Sequence, residues 1–259
     1  MKVAQLTPGT GNFFCENCLH DSALVKGLTQ LGVEASIIPM YLPIMEEDPV
    51  TSSQETPIQF GGVNTYLQQK SALFRHTPSW IDSLMNTPAV LNYAASRPST
   101  TKASLVGEIL VSMLKGQQGN QSKEIRKLAT YIHDHIKPDV VILSNIMLLG
   151  LAAPLKSHLN VPIICSMQGE DVYMDEVPEP YSTQAWELIR EKCSDVSHFI
   201  AVSDYYANEM KRRLSLTDED VSVVHSGIDI NGYEPKQDNG HIKTVTFMSR
   251  GLCCGRRFI

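Results

Sequence analysis

Apolar positions along this chain come in short unbroken runs, each stopped by a small or polar residue where a turn or a helix start follows. Three such stretches in the second half share this design: VPIICSMQGED (161–171), FIAVSDYYANEM (199–210) and VSVVHSGIDINGYEP (221–235). A continuous rather than alternating run is the mark of a strand buried on both faces, hence of a parallel sheet between helices. The pattern predicts an α/β fold, a Rossmann-like doubly wound parallel sheet. In such sheets ligands sit outside the carboxyl ends of the strands. Gln168-Gly169-Glu170-Asp171, Ser203 and Gly227-Ile228-Asp229 all fall on that edge.

The first half opens the same way. Val3–Leu6 reads as a strand closed by Thr7-Pro8-Gly9-Thr10-Gly11-Asn12. A helix follows with Leu19, Ala23, Leu24, Leu28 and Leu31 as its apolar stripe and Gly32 as its stop, then a strand over Ala35–Met40. Residues 44–121 break the pattern and read as a helical insertion, with helical pieces over 63–74, 79–95 and 103–115. Alternation resumes with helices over 122–136, 147–159, 181–194 and 204–214, and strands over 139–143, 162–166, 198–202 and 221–224. Pro235–Gly240 is a linker by composition, followed by an apolar run Val245–Met248, then Ser249-Arg250 and an aperiodic tail.

Composition narrows the function classes. Lys and Arg number 22 against 28 Asp and Glu, a net charge of −6, which is no basic footprint for nucleic acid. No run approaches the roughly 18 apolar residues of a membrane span, and MKVAQL reads as a buried strand rather than a leader. Six cysteines without regular spacing suit a reducing compartment, so a cytoplasmic protein is expected, with peripheral membrane contact left open.

The candidate chemistry sits mostly at strand ends. Gly9 and Gly11 could let backbone N–H groups approach a phosphate at a helix start, or could simply make a tight turn. The dinucleotide fingerprint is absent: position 14 is Phe, and no acidic residue ends the second strand (Met40-Tyr41-Leu42), which disfavours a nicotinamide enzyme. Cys15 and Cys18 form a Cys-x-x-Cys whose alternatives are a redox pair, half a zinc site without a second pair, or packing cysteines; packing is the favoured one. Gln168-Gly169-Glu170-Asp171 reads as a polar crevice cluster, with capping carboxylates as the plainer alternative. Asp218-Glu219-Asp220 precedes a strand and reads as a solvated turn, and His133 and His135 read as surface histidines. No metal site is expected.

Taken in order, PGTGNFFCENCLHDSALVKGLTQLG, VPIICSMQGED, FIAVSDYYANEM and SVVHSGIDINGYEP resemble the N-terminal domain of a GT-B glycosyltransferase of the retaining family 4 type. The resemblance implies two Rossmann-like domains across a cleft: residues 1–235 as the acceptor domain, with the insertion at about 44–121, and residues 236–259 as the linker and first strand of an incomplete donor domain. It implies transfer of a hexose from a nucleotide-sugar to a carbohydrate or lipid-linked acceptor, with the donor as substrate and no cofactor. By position, Gly9, Thr10 and Gly11 would lie near the diphosphate, with Gly169, Glu170 and Ser203 also on the donor side. Gln168 stands where the family usually has a histidine near the reacting sugar. Arg250 matches the arginine that clamps the departing diphosphate. The departure after Arg250 leads us to expect a truncated, inactive form. The alternative is a single domain that binds a glycan or a partner without chemistry.

Overall fold

The computed structural model describes residues 1–9, 16–41, 60–77, 87 and 103–227. Six strands form one sheet: β1 (Lys2–Thr7), β2 (Glu34–Pro39), β3 (Val140–Leu143), β4 (Ile163–Met167), β5 (His198–Ala201) and β6 (Val221–Val223). Every neighbouring pair is parallel, in the order β2-β1-β3-β4-β5-β6. The order reverses between β1 and β3, so the crevice of this sheet opens beside the ends of those two strands.

Strand alternation assigns the faces. Ala4 and Leu6 point to one side of β1, and Val3, Gln5 and Thr7 to the other. The first side joins Ile38, Leu143, Cys165, Met167 and Phe199 in the main core. Against it pack α3 (Ala103–Leu114), α4 (Ser122–Tyr131), α5 (Ala152–Leu159), α7 (Tyr181–Lys192) and α8 (Asp204–Leu214). On the other side, α1 (Glu16–Gln30) reaches Thr7. The doubly wound parallel architecture expected from the apolar runs is therefore present.

Three local expectations are corrected. The stripe of α1 that faces the sheet is Cys18, Asp21, Ser22 and Val25, while Leu19 and Leu31 are exposed. Polar side chains occupy part of the buried stripe, so a hydropathy pattern alone picks the wrong face. The turn after β4 runs into a short helix, α6 (Asp171–Glu176), which is absent from the helices read from the pattern. The helices read over 122–136 and 147–159 each change winding: α4 continues as a π turn over Ile132–Ile136, and a 3-10 turn over Ile146–Leu151 precedes α5.

The insertion contributes α2 (Gly62–Lys70) and α3 among the described residues; the helix read over 63–74 breaks at the extended Ser71 and resumes as a 3-10 turn over Ala72–Arg75, and the piece at 79–95, residue 87 apart, lies outside the described residues. Hydrogen bonds between polar side chains add to the apolar packing of α3. Gln68 Nε2 donates to the buried Glu124 at 2.8 Å, Asn120 Nδ2 donates to Gln69 Oε1 at 2.8 Å, and the Ser112 hydroxyl donates to Gln121 Oε1 at 2.7 Å. Gly116, at φ 59°, and Gly150 bring the backbones after α3 and before α5 together. A Cβ on Gly150 would overlap the Met113 carbonyl. Gly150→Ala is therefore expected to cost about 1–3 kcal/mol by forcing backbone apart. Gly27, inside α1 with open space around it, should gain up to about 1 kcal/mol as Ala. Chemical denaturation of both variants checks the pair, and equal effects would refute the packing account.

Candidate functional site

The ends of β1, β3 and β4 carry a connected polar group that the sequence only partly revealed. Thr7 closes β1, and its hydroxyl donates to Asp21 Oδ2 at 2.8 Å. Asp21 lies one turn into α1 and is 0% exposed. Gln168, just past β4, donates from Nε2 to Asp21 Oδ1 at 3.2 Å and to the Ser144 carbonyl at 2.7 Å. His20 Nδ1 lies 3.4 Å from Asp21 Oδ1. Three strand ends are thus joined through one buried carboxylate and one amide.

A second carboxylate braces the adjoining loops. Glu170 sits at the N-cap position of α6 but makes no side-chain cap bond, so the plain capping role is not the one it plays. Its Oε1 accepts from Ile146 N at 3.3 Å. Its Oε2 accepts from Gln168 N at 2.8 Å and from the Tyr206 hydroxyl at 2.9 Å. Burial raises its carboxyl above the ordinary range; its own backbone N–H, followed by the Gln168, Tyr206 and Ile146 donors, opposes that without cancelling it. Burial and the neighbouring Glu170 carboxylate push the Tyr206 hydroxyl well up, which keeps it a donor.

The remaining sequence candidates separate. Gly9 follows β1 with φ 70°, a left-handed conformation that favours glycine, and Gly169 has φ 101° in the turn after β4. Ser203 caps α8, its hydroxyl accepting from Tyr206 N at 3.2 Å. Thr10, Gly11 and Arg250 lie outside the described residues, as do Cys15 and the 236–259 segment. Cys18 is buried. Asp218-Glu219-Asp220 is a turn before β6, with Asp218 paired to Lys211 at 2.6 Å, and His133 and His135 are exposed. Among the described residues no cluster of His, Cys, Asp or Glu could hold a metal, and no helix is long and apolar enough to cross a membrane.

Asp21, Thr7, Ser144 and Tyr206 were not singled out from the sequence. The available signal was the adjacent polar pair Asp21-Ser22 in a helix that follows a buried strand. Behind the 168–171 turn, Arg213 reaches Asp175 at 2.9 Å and lies over the Trp186 ring at 5.1 Å, while Trp186 Nε1 donates to Asp175 at 2.9 Å. This fastens α6 to α7 and α8.

Residues 114–231 match the family model described as Glycosyltransferase Family 4. The matched stretch is just under half of the chain and holds β3–β6 with Gln168, Glu170 and Ser203; β1 and α1 lie before it. No curated protein matches the chain.

Glu170 gives a pH-dependent test. A raised carboxyl favours the protonated folded form, so its contribution is full below the ordinary value of 4.5 and is lost as pH rises through the raised one. Glu170→Gln removes that dependence. It also costs about 1–3 kcal/mol by setting an amide N–H against backbone donors. Relative to the variant, the wild-type chain should lose stability over the pH range that begins at about 4.5 and rises through the raised value. Parallel stability curves in denaturant titrations across this range would refute the assignment.

Proposed function

We propose that the carboxyl edge of this sheet is one wall of the cleft of a retaining, two-domain GT-B hexosyltransferase. In this reading it moves a hexose from a nucleotide-sugar to a carbohydrate or lipid-linked acceptor, and residues 1–235 form the acceptor-side domain. The observation that carries the reading is the match of residues 114–231 to a glycosyltransferase family, since that stretch contains the Gln168–Glu170 turn at the edge where such sheets take ligands. The exposed Leu19, Val172 and Tyr205, in the first turns of helices that start at this edge, and Val224 just past β6, suit a wall that meets another domain or an acceptor.

Each residue then has a part. Gly9, with Thr10 and Gly11, lets backbone N–H groups approach the diphosphate. Gln168 faces the reacting sugar, and Gly169 allows close backbone approach beside it. Glu170 shapes the donor side by holding the turns, with Ser203 setting the start of α8 next to it. Arg250 stabilises the departing diphosphate by charge-assisted hydrogen bonds, and the reaction then needs no cofactor.

Hydrogen exchange on the full chain tests this, using uridine- and guanosine-diphosphate hexoses and a panel of oligosaccharides. Protection should appear at the end of β1, the turn after β3 and the 168–171 turn. Protection by a glycan with no hexose transferred in a parallel product assay would favour the binding domain without chemistry. Unchanged exchange at all three segments with every sugar would sink both.

A further inference from the structure

The Gln168 amide is held in one orientation. Nε2 spends both hydrogens inward, on the Ser144 carbonyl at 2.7 Å and on Asp21 Oδ1 at 3.2 Å. Turned over, the amide would set Oε1 against a carbonyl and a carboxylate, neither of which donates there. The hydrogen-bond network therefore decides which amide atom faces in. Gln168 is half-buried, and its Oε1 accepts from no described residue and is not enclosed. Asp21 is itself fixed: it is fully buried, and Thr7 donates to its other oxygen at 2.8 Å. The Ser144 hydroxyl beside this amide is also buried and without a partner.

We infer that Asp21 is a positioning residue: it locks the Gln168 amide with Oε1 outward, so the crevice at the ends of β1, β3 and β4 selects neutral sugar hydroxyls over phosphate oxygens. A hydroxyl donates to Oε1. A phosphate oxygen has no proton to give and meets an acceptor with a carboxylate behind it. The diphosphate of a nucleotide-sugar must then lie away from Gln168, on the Gly9 side. The ligand class named here rests on the hexosyl-transfer reading; the coupling of Asp21 to Gln168 does not.

Nuclear magnetic resonance of the nitrogen-15-labelled full chain tests both levels. The Gln168 side-chain amide, assigned by its loss in Gln168→Met, should exchange slowly with water. Asp21→Leu should speed that exchange at least tenfold. Asp21→Asn should restore it, because its carbonyl oxygen still accepts from Gln168 while its nitrogen donates to the Thr7 hydroxyl. Thr7→Val carries the same test if Asp21→Leu does not fold, since it frees one Asp21 oxygen and lets the carboxylate turn. Titrated with D-glucose, D-galactose, D-mannose, N-acetyl-D-glucosamine and, separately, pyrophosphate, the amide should respond to at least one hexose. That response should weaken tenfold or more in Asp21→Leu, recover in Asp21→Asn, and be absent with pyrophosphate. Fast exchange in the wild-type chain, exchange unaltered by Asp21→Leu or Thr7→Val, or an equal response to pyrophosphate overturns the inference. Slow exchange that Asp21→Leu abolishes, with no response to any hexose, supports the positioning role and overturns the hexose class instead.

Discussion

Glu170 accepts from Ile146 N, Gln168 N and the Tyr206 hydroxyl, and three crossovers of the parallel sheet meet on its two oxygens. Each donor belongs to a different connection: the turn after β3, the turn after β4 and the helix after β5. Removing a buried carboxylate of this kind would strand two backbone N–H groups and a phenol, each costly to leave unpaired out of water. Its burial also raises its own carboxyl, so the brace holds its shape at the expense of part of its ionisation energy. The position of Gln168, and with it the shape of the crevice, follows from this one side chain and its three donors.

Asp21 does for the β1 side what Glu170 does for the β5 side. Both are buried acids at the carboxyl edge, and both have the Gln168 turn as a partner, one through its backbone N–H and the other through its side-chain amide. The turn is pinned from two directions, while the side-chain amide oxygen of Gln168 accepts from no described residue and is not enclosed. The clamp of Arg213, Asp175 and Trp186 lies behind the same turn. Rigid support of this kind lets a strand-end turn present one acceptor in a fixed place.

The insertion is held by apolar packing of α3 and also by polar pairs. Its α2 meets α4 through Gln68 and Glu124, and its α3 meets the start of α4 through Ser112 and Gln121. Buried amides and hydroxyls that must meet one another favour one docking geometry where an apolar contact alone would tolerate several, although Gln68 Oε1 is buried without a partner. Close backbone approach at Gly116 and Gly150 adds to this.

Apolar runs along the chain determined the sheet, because a parallel strand is buried on both faces and its sequence says so without reference to any partner. The runs at 139–143, 162–166, 198–202 and 221–224 each became a strand within a residue or so of these limits, and Gln168 and Glu170 were legible as edge residues because they follow such a run. The buried stripe of α1 was not legible, since Asp21 and Ser22 look like surface residues until Thr7 and Gln168 are brought to them from β1 and β4. Nor did the sequence distinguish Glu170 as a brace from Glu170 as a cap or a ligand. That difference lies in whether its oxygens meet donors from other crossovers, and residues 24 and 36 positions away are neighbours only once the strands are in register. Local pattern fixes what an element is; which polar groups are satisfied by one another is decided by long-range contact, and only the tertiary structure supplies it.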